Sequence, residues 1–115
     1  MAGLTTHVLD TANGVAAKGI RIELYDDKTG KLLGEFVTND DGRCDQPLLA
    51  PEQMKTNSYR LEFFTADYFQ KRGHELSDPP FLDKITIRFA ITDTQSHYHV
   101  PLLVSPFSYS TYRGS

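Results

Sequence analysis

Three histidines lie in two short segments where polar and apolar residues alternate. His7 is in Leu4-Thr5-Thr6-His7-Val8-Leu9-Asp10, and His97 and His99 are in His97-Tyr98-His99-Val100-Pro101-Leu102-Leu103. An imidazole titrates at roughly pH 6.5, so it can take or give a proton near neutrality, as general acid or base catalysis requires. In an extended chain successive side chains point to opposite faces. His97 and His99 therefore share a face with Pro101 and Leu103, while Tyr98, Val100 and Leu102 turn toward a core. His7 shares its face with Thr5 and Leu9, opposite Val8. Two imidazoles in His-x-His spacing can also reach one zinc ion, but a tetrahedral site needs a third and a fourth ligand. Neither a Cys-x-x-Cys pair nor a His-Glu-x-x-His helix occurs. On spacing alone, surface placement, metal binding and acid–base chemistry all stay open. Ser105, Ser108, Ser110 and Thr111 crowd one stretch with no Gly-x-Ser-x-Gly elbow to mark a nucleophile. Arg43 adjoins Cys44 and could lower its pKa, but one cysteine without a motif of its own reads as structural.

Strands must position these residues, because most of the chain reads in twos. Ile20, Ile22 and Leu24 alternate with Arg21, Glu23 and Tyr25, and Ile85, Ile87, Phe89 and Ile91 alternate with Thr86, Arg88 and Ala90. The pattern predicts strands over 4–10, 20–26, 31–38, 43–46, 57–64, 84–92, 97–104 and 109–114. Turn signals at Asn13-Gly14, Asp26 to Gly30 and Asn39 to Gly42 separate several of them. One segment differs: Thr65 to Gly73 offers an N-cap threonine, an acidic first turn, a basic last turn and a closing glycine, which predicts a two-turn helix. Pro79-Pro80 then returns the chain to a strand near Lys84. Pro101 cannot donate to a ladder, which demotes its strand to an edge or a bulge. The sum is an all-β sandwich in one domain over 1–115, with one short helix.

Composition narrows the function classes. The chain has 115 residues, enough for one hydrophobic core. Twelve Lys and Arg stand against 15 Asp and Glu, a formal charge of −3, and no basic run marks a nucleic-acid face. No stretch has the length of a membrane span and the first residues lack the layout of a secretory leader, so a cytoplasmic protein is expected. The single Cys44 cannot form an internal disulfide, which leaves packing and subunit contacts to supply stability.

The two ends of the chain carry the most specific pattern. Thr6-His7-Val8-Leu9-Asp10 opens it, His97-Tyr98-His99-Val100-Pro101-Leu102-Leu103 follows late, and Tyr112-Arg113-Gly114-Ser115 closes it. With the Asp41-Gly42-Arg43-Cys44-Asp45 turn between them, these segments resemble the 5-hydroxyisourate hydrolases, the transthyretin-related enzymes of urate breakdown. The resemblance implies a transthyretin-like eight-stranded sandwich and a homotetramer with sites in a channel between dimers; with no third and fourth ligands near His97 and His99, activity without a metal or other cofactor is expected. It implies that His7, Arg43 and His99 are catalytic, and that Tyr112 and Ser115 join His7 and Arg43 around the substrate. The reaction implied is hydrolysis of 5-hydroxyisourate to 2-oxo-4-hydroxy-4-carboxy-5-ureidoimidazoline. Alternation sends Arg113 away from the face of Tyr112, toward a structural or interface role. His97 lies outside the matched set, so its loss should be milder than that of His99. A small-ligand carrier on the transthyretin scaffold is the competing reading, one that does not need the histidine–arginine–histidine set.

Overall fold

In the computed structural model, which describes residues 2–114, eight strands form two four-stranded sheets. The strands are β1 (Gly3–Asp10), β2 (Val15–Ala16), β3 (Arg21–Asp26), β4 (Leu32–Val37), β5 (Asn57–Phe63), β6 (Ile85–Ile91), β7 (His97–Val104) and β8 (Tyr109–Thr111). One sheet runs β2-β1-β7-β8 and the other β4-β3-β5-β6. The helix α1 (Thr65–Lys71) follows β5.

The period-two pattern decides what is inside. Leu4, Val8, Tyr98, Val100, Leu102 and Val104 from the first sheet meet Ile22, Leu24, Leu61, Phe63, Ile85 and Ile91 from the second in one buried cluster. Each such side chain contributes about 1.5–3 kcal/mol by leaving water. Because that set is fixed inward, the alternate residues Thr5, His7, Leu9, His97, His99 and Leu103 stand on the outer face of the first sheet, half-buried.

β1 and β7 pair in parallel, with Thr5 opposite His99 and His7 opposite Pro101. Ninety-odd residues separate these partners, so the two ends of the chain build the middle of one sheet. At the far end of β1, Asp10 is 1% exposed. Its carboxylate accepts from the Tyr68 hydroxyl at 2.7 Å, the Asn13 backbone N–H at 2.9 Å and the Asn13 side-chain amide at 2.7 Å. α1 is thereby tied to the strand that carries His7.

Four local expectations are corrected. Residues 43–46 form no strand: Gly42, at φ +75°, turns the chain, and the segment from 39 to 49 runs beside β1 through separate contacts. The Val8 N–H donates to the Gly42 carbonyl at 2.8 Å, and the Leu4 N–H donates to the Leu49 carbonyl at 2.9 Å. The unexpected strand is β2, which pairs with β1 through Leu9–Ala16 and Asp10–Val15. β8 stops at Thr111, after which one isolated bridge joins Gly114 to His99. Thr65 is the first residue of α1 and not its cap; its hydroxyl donates to the Asp83 carbonyl at 3.0 Å.

Pro101 lies in β7, which is an inner strand. Its missing N–H faces β8, as shown by the Gly114 N–H donating to the His99 carbonyl two residues earlier. There the ladder is interrupted between Thr111 and Gly114, and the Thr111 hydroxyl donates to the Pro101 carbonyl at 2.7 Å. A gap in the neighbouring strand thus accommodates the proline, which has no N–H to give to a ladder there.

Candidate active site

The outer face of β1 and β7 collects the titratable side chains. Thr5 Oγ1 lies 3.0 Å from His97 Nε2 and 2.9 Å from His99 Nδ1, so one hydroxyl bridges both imidazoles. The two rings are nearly parallel, at 18°, with centroids 6.5 Å apart. Their convergence point is filled by the hydroxyl, and among the described residues no three His, Cys, Asp or Glu side chains gather as a metal cage would require.

Arg43 reaches this face through the turn that replaces the expected strand. Asn39 organises the turn: its side-chain carbonyl accepts from the Asp41 and Arg43 N–H groups, and its amide donates to Asp45 at 2.9 Å. Gly42 lets the turn lie directly on β1, since a Cβ there would stand 2.3 Å from the Val8 carbonyl oxygen. Arg43 is exposed, and among the described residues it forms no ion pair with Asp41 or Asp45. Its guanidinium is left available for a ligand. Thr5, Thr6, Arg43, Cys44 and Gln46 line a cleft of about 110 Å³ at this point.

His99 feels its neighbours. Burial first, then the charges of Arg43, His7 and His97, hold it below the ordinary imidazole value. The shift favours the neutral ring, which can accept a proton. On its other side, Gly114 leaves room for the ring: a Cβ there would sit 2.8 Å from His99 Cδ2. The thiol of Cys44 is not activated. Burial, aided by Asp45, pushes its pKa up to about 11, and the adjacent Arg43 does not activate it.

The structure thus brings His7, Arg43, His97 and His99 together. Tyr112 is 62% exposed and makes no hydrogen bond to them among the described residues. It lies past the end of β8, between Ser110 opposite Leu103 and Gly114 opposite His99, both on the histidine side. Tyr112 also borders a separate pocket of about 270 Å³ with Tyr98, Val100 and Arg113, which does not include the residues of the Arg43 cleft. Arg113 turns the other way as expected, its guanidinium 4.1 Å from the Tyr98 ring centre. Ser115 lies outside the described residues. His74 sits elsewhere, 3.0 Å from the Asn13 side-chain amide. The contributor missed from sequence is Thr5: its face was legible, but its place between two histidines depends on the parallel register with β7.

The sequence profile of the HIUase/Transthyretin family matches residues 4–114. The chain belongs to this family. A 5-hydroxyisourate hydrolase of Pseudomonas aeruginosa is 51% identical over 100% of this chain and 93% of its own length. Among solved structures, an (S)-allantoin synthase superposes with a TM-score of 0.92 at 49% identity over 99% of this chain, which spans only 44% of that protein. Sea bream transthyretin in complex with thyroxine superposes at 0.85 with 26% identity, covering 98% of this chain and 95% of its own. Both kinds of relative share the sandwich, and the chain is 51% identical to the Pseudomonas hydrolase against 26% to that transthyretin.

Proposed function

We propose that a single transthyretin-like domain over residues 1–115 hydrolyses 5-hydroxyisourate to 2-oxo-4-hydroxy-4-carboxy-5-ureidoimidazoline, a step of urate catabolism. The observation that carries this reading is that His7 and His99 share one outer sheet face with Arg43 beside them, where burial and neighbouring charges lower the pKa of His99. Opening a cyclic amide requires water to bond to a ring carbonyl carbon while a base takes its proton. Charge on the carbonyl oxygen must be stabilised, and the departing nitrogen must receive a proton as the C–N bond breaks. His99 takes the proton from water, since its lowered pKa keeps the lone pair available. His7, directed to the same face, supplies a proton to the nitrogen. Arg43 keeps its charge and presents a planar fork to a flat heterocycle, with Tyr112 and Ser115 as further substrate contacts.

The cleft at Arg43 holds about 110 Å³, below the roughly 300 Å³ at which small-molecule pockets begin. The same reading therefore places the complete site between copies of the chain in a homotetramer, where exposed Tyr109 and Tyr112 become covered. It also places the protein in the cytoplasm, consistent with a single unpaired cysteine. No nucleic-acid or membrane partner enters this reading.

The decisive experiment is to generate 5-hydroxyisourate freshly and follow its absorbance decay with and without protein. Decay no faster than the spontaneous reaction would overturn the assignment and favour a carrier. For the assembly, sedimentation and activity are measured across a dilution series, and full turnover by a monomer would contradict a shared site.

A further inference from the structure

The resemblance leaves His97 outside the matched set, and Thr5 enters no expectation of catalysis, yet the two are joined to His99 through one oxygen. We propose that Thr5 and His97 are positioning residues that hold His99 in the tautomer with its proton on Nδ1 and a bare Nε2, through a relay His99 Nδ1–H to Thr5 Oγ1–H to His97 Nε2. The catalytic consequence rests on the hydrolase reading; the relay itself does not.

A hydroxyl carries one hydrogen and two lone pairs, so when Thr5 donates to one neutral imidazole it can only accept from the other. The two tautomers are thereby coupled. If Thr5 donates to His99, the ring presents Nε2–H and cannot act as a base. If it donates to His97, it accepts from His99 Nδ1, and the lone pair falls on Nε2, which makes no hydrogen bond among the described residues. The charge around His99 selects the second arrangement. Arg43 and His7 lie close enough to disfavour positive charge on the ring, and beside such cations the nitrogen not held by Thr5, Nε2, is more stable bare than as an N–H. His97 serves as the acceptor that draws the Thr5 proton away from His99. The strands hold the relay: Thr5 is opposite His99 and Gly3 opposite His97 in the parallel register. The near-parallel rings both point at the hydroxyl between them.

The test removes the relay without removing its shape. Thr5→Val deletes the hydroxyl and keeps the branched side chain; His97→Phe deletes the acceptor and keeps a ring. Imidazole nitrogen spectra of ¹⁵N-labelled protein, with His99 assigned by its absence in His99→Gln, should show Nδ1 protonated and Nε2 bare in the unaltered chain. Both variants should shift the population toward Nε2–H, the form an unconstrained histidine favours, and Thr5→Ser should restore the original pattern. Turnover should follow, with kcat down by about tenfold in Thr5→Val and His97→Phe, KM little changed, and recovery in Thr5→Ser. A His99 already protonated on Nε2, or one whose nitrogen signals are the same in all three variants, overturns the relay. Absence of any turnover by the unaltered chain would defeat the hydrolase reading, while the spectra would still decide the relay.

Discussion

The tightest geometric constraint on His99 comes from Gly114, and replacing it with alanine tests whether the ring must lie where it does. An added Cβ would stand 2.8 Å from His99 Cδ2, 3.1 Å from its Cβ and 3.3 Å from its Cγ. Carbon atoms settle at about 3.5 Å or more, so the ring or the bridging strand must yield by about 0.7 Å. The backbone at Gly114 does not have a positive φ, and its N–H to the His99 carbonyl, at 2.7 Å, is unaffected by a methyl group. Folding should therefore survive. Misplacing a catalytic group by about 1 Å can cost on the order of 10²-fold, so Gly114→Ala should lower kcat by roughly tenfold to a hundredfold. The assay is 5-hydroxyisourate decay corrected for the spontaneous rate, with thermal unfolding of the same sample to show that the domain is intact. An alanine variant with unchanged kcat and Tm would refute the claim that His99 must hold its observed position.

His7→Ala and His99→Ala should each lower kcat by about 10²-fold or more, as loss of a general acid or base does, measured in the same decay assay. Arg43→Lys should cost nearly as much despite keeping the charge, because an ammonium cannot present a planar fork; near-normal turnover would assign Arg43 only a charge. With His99 lowered from its ordinary value, the active neutral form is lost as pH falls through that lowered pKa, so the acid limb of kcat/KM should lie below about pH 6.5 and vanish in His99→Ala. Asp10 keeps a lowered pKa because hydrogen bonds from Asn13 and Tyr68 outweigh the burial that opposes them. Its stabilisation is present above the unfolded carboxylate value and lost as pH falls through the folded one. Asp10→Ala should cost about 2–4 kcal/mol in denaturant unfolding at pH 7, a difference that shrinks in acid.

The alternation of Ile22 with Leu24 and of Tyr98 with Val100 was enough to read which faces are buried, and hence that His7, His97 and His99 stand outside. Side-chain burial has a period of two whatever the strand pairs with, so it survives in sequence. Pairing itself does not. That β1 lies parallel to β7, setting Thr5 against His99, depends on contacts ninety residues apart that no local pattern encodes. The stretch from Arg43 to Gln46 was misjudged because Gly42 presses the turn against the Val8 carbonyl, spending the backbone groups of β1 on single contacts where a ladder was expected. Cys44 reads as structural from its lack of a motif, and its spatial surroundings, which bury it beside Asp45, outweigh the cation next to it in sequence. Pro101 was readable as a problem but not as a solved one, since the gap opposite it belongs to another strand.

The parallel pairing of β1 with β7 also sets an order of events during synthesis. β1 is made first, yet its partner lies more than ninety positions later, so the strand carrying His7 must wait with an unpaired edge while the rest of the chain appears. Contacts so distant in sequence close slowly, and an open edge invites pairing with other nascent chains. The alternate positions of β1 that would lie on an outer face are Thr5, His7 and Leu9, and the first two are polar, which makes the waiting strand a poor template for aggregation. Thr5 and His7, placed at the proposed site, would thus also guard their strand until β7 exists to pair with it.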